Sequence, residues 1–196
     1  MPAEIAPDGL PIKLFRTAKA WEDWLERNHA RKPGIWVRMA KKASGKKSVS
    51  FAETLEVALC YGWIDSRGKS DGPDYMLGRF TPRAKRSMWS QINRDKALEL
   101  IDAGRMRPAG LAEVERAKAD GRWDRAYEPV SRATVPPDLQ KALDRNAKAK
   151  RFFETLNSTN RYAILFRIQT AKKPETRAKH IEQFVQMLAR GEKLHP

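Results

Sequence analysis

Apolar residues along the first thirty positions recur with helical spacing. Trp21, Trp24 and Leu25 stand at i, i+3 and i+4 within TAKAWEDWLERNHA, and Thr17 is placed to accept a backbone N–H at the start of that helix. Lys32, Pro33 and Gly34 break the pattern. The period then changes to two: in IWVRMAK, Ile35, Val37 and Met39 fall on one face and Trp36 and Arg38 on the other, which predicts a half-buried strand. After a polar loop around Ser44 and Gly45, Ser50 caps a second predicted helix that ends near Tyr61, with Phe51, Leu55, Ala58 and Leu59 on its buried face.

From Gly62 the segments GWIDSRG and YMLGRF read as two strands joined by KSDGPD, whose Asp71, Gly72 and Pro73 suit a turn. The strand period puts Trp63 and Asp65 on one face of this hairpin, and Tyr75, Leu77 and Arg79 on one face of the partner strand. An Asp65–Arg79 cross-strand pair is then open. The following segment begins as a basic loop and becomes a helix, capped by Ser87 or Ser90, closed by Gly104 and buried through Ala97, Leu100 and Ile101. Another helix follows Pro108 and runs through Val114 and Ala117 to a stop at Gly121. GRWDRAY reads as a turn packed by Trp123 and Tyr127.

Pro129, Pro136 and Pro137, with Ser131 and Thr134 between them, mark a linker. The remainder predicts helices over 137–145, 147–157, 159–171 and 174–190, the last with Ile181, Phe184, Val185 and Leu188 on one stripe. The fold class is α+β and helix-rich: a core domain over 10–130 around a small, mostly antiparallel sheet, then a basic helical C-terminal segment over 131–196.

Composition adds a strong charge. The net charge is +15, and residues 131–196 hold 14 Lys/Arg against 6 Asp/Glu, which makes the tail the more charge-dense part. Such a chain is drawn to phosphates and acidic surfaces at low salt, although lysines on outer helix faces are most simply there for solubility. A lone Cys60 leaves no internal disulfide, and His29, His180 and His195 are too scattered for a ligand motif, so no metal is implied. The glycine loops GxGxxG and GxxxxGK are absent, and no cofactor is implied. With no long apolar run and no secretory pattern in MPAEIAPDGLPIKLF, a cytoplasmic protein without membrane insertion is expected.

Candidate chemistry concentrates in residues 62–93. Arg79 and Arg83 suit bidentate capture of a carboxylate or phosphate, Trp63 and Trp89 suit stacking, and Asp65 suits orienting a donor or acting as a base. Ser87 to Asn93 would open a helix whose N–H groups favour an anion. A small anionic ligand or an acidic protein partner is therefore expected at Trp63, Asp65, Arg79, Arg83, Ser87, Trp89 and Asn93. The competing reading makes Asp65–Arg79 an ion pair and both tryptophans core. Two other classes stay open. One is a nucleic-acid-binding module, not the favoured partner, using Lys172, Lys173 and Arg177, with the last two helices as a helix-turn-helix. The other is an enzyme of unknown reaction, for which no nucleophile, base and orienting group stand in a recognisable arrangement.

The segments ALCYGWIDS (58–66), RFTPRAKRSMWSQIN (79–93), GRM.PAG (104–110), DGRWDRAY (120–127) and AKKPETRAKHI (171–181) together resemble the YdeI/OmpD-associated, bacteriocin-protection family, in the family's order. Ser66 stands where that pattern favours Gly, and Lys179 or His180 where it favours Arg. The resemblance implies a role in protection against bacteriocins and envelope stress, with no settled molecular activity.

Overall fold

The computed structural model describes residues 4–196 and contains one four-stranded sheet and eight α-helices among them. The elements are β1 (Ile12–Leu14), α1 (Ala18–Asn28), β2 (Ile35–Ala40), α2 (Phe51–Cys60), β3 (Trp63–Asp71), β4 (Tyr75–Pro82), α3 (Gln91–Asp102), α4 (Pro108–Ala119), α5 (Pro137–Asp144), α6 (Ala147–Thr155), α7 (Ser158–Gln169) and α8 (Pro174–Ala189). They form two compact units. The first holds the residues through Met88 together with Asn93–Asp124, and the second holds Trp89–Ile92 together with Arg125–Pro196.

In the first unit the strand order is β1-β2-β4-β3. The two pairings through β4 are antiparallel, as the hairpin pattern predicts, but β1 runs parallel to β2 with Ile12 opposite Trp36, so the sheet is mixed. Parallel neighbours need a crossover, and α1 supplies it. Its Thr17 cap accepts the Ala20 N–H, and its Trp21, Trp24 and Leu25 face inward. Trp21 is fully buried, 5.1 Å from the Phe15 ring and 6.0 Å from Phe80, and stacked on Trp24 at 5.3 Å. Its indole N–H donates to the Thr54 carbonyl at 3.0 Å, so the ring is buried without an orphaned donor.

Two expectations about faces are corrected. Trp36 is not on a solvent face, because Ala6 and Leu10 fold over that side of the sheet and bury it with Leu77 in a second small cluster. On α2 the buried stripe is Thr54, Val57, Ala58, Leu59 and Cys60, while Phe51 is exposed. Thr54 tolerates burial because its hydroxyl donates to the Ser50 carbonyl one turn earlier. The Ser50–Glu53 capping box forms as the sequence indicates.

The second unit is built from α5–α8 around Leu139, Leu143, Phe153, Ile164, Ile168, Phe184 and Leu188. Asn146 and Asn157 cap α6 and α7, and Pro137 and Pro174 occupy the first turns of α5 and α8, where a missing N–H costs nothing. Buried Asn160 accepts the His195 N–H at 2.8 Å and donates to the His195 carbonyl, which holds the chain end against α7.

Candidate functional site

The residues singled out between 62 and 93 are placed in different surroundings. Trp63, at the head of β3, is a core residue: it is 1% exposed, donates its indole N–H to the His29 carbonyl at 3.2 Å, and meets Trp21 and Trp24 edge-on. Trp89 is buried as well and belongs to the second unit, where its carbonyl accepts the Tyr127 N–H. Arg79 is tied down elsewhere. Its Nε donates to Asp8 Oδ2 at 2.9 Å and its Nη1 to Ser66 Oγ, and the other Asp8 oxygen accepts the Trp36 indole N–H.

The open Asp65–Arg79 pair does not form. Asp65 lies opposite Phe80, a bulge follows at Ser66, and Arg79 lies opposite Arg67. One extra residue in β3 shifts every later position by one, which sends Asp65 and Arg79 to different neighbours. Ser87 is not the cap of α3. The helix begins at Gln91, so Asn93 lies in its first turn, while Ser87 folds back within the loop and accepts the Ala84 N–H on its hydroxyl.

The loop between β4 and α3 has an organisation of its own. Three of its carbonyls are each taken by a different arginine: Arg83 Nη1 donates to Met88 at 3.3 Å, Arg116 Nη2 to Ala84 at 3.3 Å, and Arg122 Nη1 to Ser87 at 2.6 Å. Arg83 and Arg122 are 5% and 8% exposed, so this is a clamp set into the protein, with Lys85 and Arg86 exposed on the loop above it. Carboxylates balance it in part. Arg122 Nε forks onto both oxygens of Asp120 at 2.8 and 2.7 Å, and Arg116 pairs with Glu113. Arg116 Nε and Arg122 Nη2 are buried and have no acceptor among the described residues.

Burial pushes the Glu113 carboxyl above the usual range, outweighing the pull of Arg116, Arg83 and Arg122. Burial likewise raises Asp65, against its own backbone N–H and Arg83. The sign for Glu113 follows from linkage. A carboxyl with a raised folded-state pKa stabilises the fold below its ordinary value of 4.5, and that contribution is lost as pH rises through the raised one. The stability difference between the native protein and Glu113→Gln, measured by urea unfolding at steps from pH 4 upward, should therefore move against the native protein as pH rises. A difference that stays flat would remove this assignment.

Cys60 is buried near the end of α2, and desolvation pushes its thiol up to about 11, so it stays protonated and packs as a small apolar group. Among the described residues no group of three or more His, Cys, Asp or Glu is placed to hold a metal ion, and no helix is long and apolar enough to cross a membrane.

In the tail, Arg177 is engaged. It forks onto Asp138 at 2.6 and 2.9 Å and donates to the Ile168 carbonyl at 2.9 Å, joining α5, α7 and α8. Lys172 and Lys173 are exposed at the start of α8. Of the clamp residues, sequence reasoning found Arg83 and passed over Arg116, Arg122 and Glu113. The first two look like ordinary helix-end cations, and only the segment DGRWDRAY, with Arg122 between Gly121 and Trp123, carried a signal.

Two family models match. Residues 13–113 match a domain of unknown function, DUF8412, and residues 132–191 match the family described as Bacteriocin-protection, YdeI or OmpD-Associated. The second match falls on the tail segment of the resemblance, while most of the earlier signature segments lie in the stretch covered by the first. No curated protein and no solved structure matches the chain.

Proposed function

Since the chain belongs to the DUF8412 domain family and is YdeI-type, of the bacteriocin-protection family, over residues 132–191, we propose that it is a cytoplasmic protection protein that binds a small oxyanion at the arginine clamp behind loop 83–88. The observation that carries this reading is the pair of buried guanidinium N–H groups without acceptors, Arg116 Nε and Arg122 Nη2. A buried donor left unpaired costs about 1–3 kcal/mol, and the oxygens of a phosphate or carboxylate relieve that cost. Charge supports the same ligand class. Arg83, Lys85, Arg86, Arg116 and Arg122 outnumber Asp65, Glu113 and Asp120, leaving a positive balance around a loop held still by three guanidinium contacts.

The reading concerns binding, because Cys60 is held as a thiol and Ser87's hydroxyl is spent on the loop. It is favoured over nucleic-acid recognition by the tail. Arg177 is already paired with Asp138, and the first turn of α8, where a recognition helix meets base edges, carries the exposed carboxylate of Glu175. The cytoplasmic assignment rests on the single cysteine, which has no disulfide partner.

The test is thermal unfolding with inorganic phosphate, sulfate and citrate, each against chloride at equal ionic strength. A saturable rise in the transition is expected for the native protein. It should vanish in Arg122→Lys, which keeps the charge and loses the Nη2 donor, and persist, reduced, in Lys85→Gln/Arg86→Gln. If none of the three anions moves the transition more than chloride does, the oxyanion reading fails.

A further inference from the structure

Beside the last turn of α8 lies a depression of about 430 Å³, lined by Lys148, Arg151, Phe152 and Thr155 of α6 and by Leu188, Ala189, Arg190 and Gly191. We infer that it docks an acidic, amphipathic segment of a partner protein, a role separate from the anion clamp of the first unit.

Every charged residue lining the depression is a cation. Lys148 and Arg151 are exposed, lie at i and i+3 on one side of α6, and have no carboxylate partner among the described residues. Arg190 is the third cation, its charge shared with Glu192 through two hydrogen bonds at 3.0 and 2.9 Å. Beneath them the floor is apolar: Phe152 is half-buried, and Leu188 is part of the unit's core. A helix C-terminus ordinarily repels anions through its free carbonyls. At this end the N–H groups of Arg190, Gly191 and Glu192 already occupy the carbonyls of Gln186, Met187 and Leu188, which lessens that repulsion.

Charge complementarity selects the occupant. A cationic rim over an apolar floor fits a chain that alternates carboxylates with a large apolar side chain, and the net +8 of residues 131–196 speeds its capture. A nucleic acid fits less well. Its phosphates need a longer track of cations than the three that line this depression.

The experiment uses fluorescence anisotropy of a labelled twelve-residue peptide with Leu and Phe set among glutamates, titrated with the full chain. Saturable binding is expected. It should weaken at least tenfold when the peptide's glutamates become glutamines, at least tenfold in Lys148→Glu/Arg151→Glu, and several-fold between low and moderate salt. Lys141→Glu/Lys179→Glu makes the same change in net charge outside the depression and should stay within about twofold of the native protein. Equal loss in the two double variants would overturn the inference, since attraction would then be a property of the whole basic surface. So would a short DNA duplex that binds more tightly than the peptide and displaces it. Unchanged thermal transitions in both double variants separate these results from misfolding.

Discussion

Trp63→Ala is expected to cost the fold about 3–5 kcal/mol, the usual price of removing a large aromatic side chain from a core. Three losses combine. The ring leaves a void beside the stacked Trp21–Trp24 pair, the two edge-on contacts at 6.5 and 5.9 Å disappear, and the His29 carbonyl loses its donor. Total stabilities of about 5–15 kcal/mol make this enough to leave a visible unfolded fraction. Chemical denaturation measures it, and Trp63→Phe, which keeps most of the packing, should lose clearly less. The same pair bears on the site. The response to phosphate should survive in Trp63→Phe, because the ring faces the core and not the clamp. An anion response abolished in a stable Trp63→Phe would return the indole to the ligand.

Gly110→Ala is the second large effect. A methyl group at this position of α4 would lie 2.3 Å from the Cys60 carbonyl oxygen and 2.8 Å from that of Leu59, so it meets backbone at the end of α2 and not a side chain that can swing away. The Cys60 oxygen also accepts the Arg107 N–H at 3.1 Å, so forcing the helices apart breaks a hydrogen bond as well as contacts. Two opposed magnitudes decide the sign. Alanine favours a helix over glycine by about 1 kcal/mol, whereas overpacking typically costs 1–3 kcal/mol and more when the neighbour is rigid. With backbone on both sides of the clash, a net loss of at least about 2 kcal/mol is expected. A denaturation midpoint equal to or above that of the native protein would show that α2 and α4 can part cheaply.

The helices were legible because each carries its own evidence. Thr17 and the Ser50–Glu53 box mark starts, Pro108, Pro137 and Pro174 sit in first turns, and the stripe Ile181, Phe184, Leu188 is periodic without its neighbours. Strand β1 escaped notice because three residues beside Pro11 are too few to establish a period, and the partner that makes them a strand lies 24 positions later, across α1. Trp36 misled for a related reason. Period two tells which residues share a face but not that a distant segment covers it. At the site, Arg83 could be read from its company, but the bulge at Ser66 could not, and the fates of Asp65 and Arg79 depend on it. Arg116 and Arg122 became recognisable only when the loop carbonyls they hold were seen.

Four residues, Trp89–Ile92, belong to the second compact unit although the chain on either side of them belongs to the first. They are held there by backbone pairing: the Tyr127 N–H meets the Trp89 carbonyl, and the Gln91 N–H meets the Tyr127 carbonyl. The stretch matched as YdeI-type, 132–191, is therefore shorter than the body it helps to form, lacking both that short insert and Tyr127, whose ring meets Phe166 at 5.0 Å. On a ribosome the insert emerges more than thirty residues ahead of its partner and must wait for it. A gene-level transplant of the tail alone would leave that waiting segment behind, so the heritable module and the physical one have different edges.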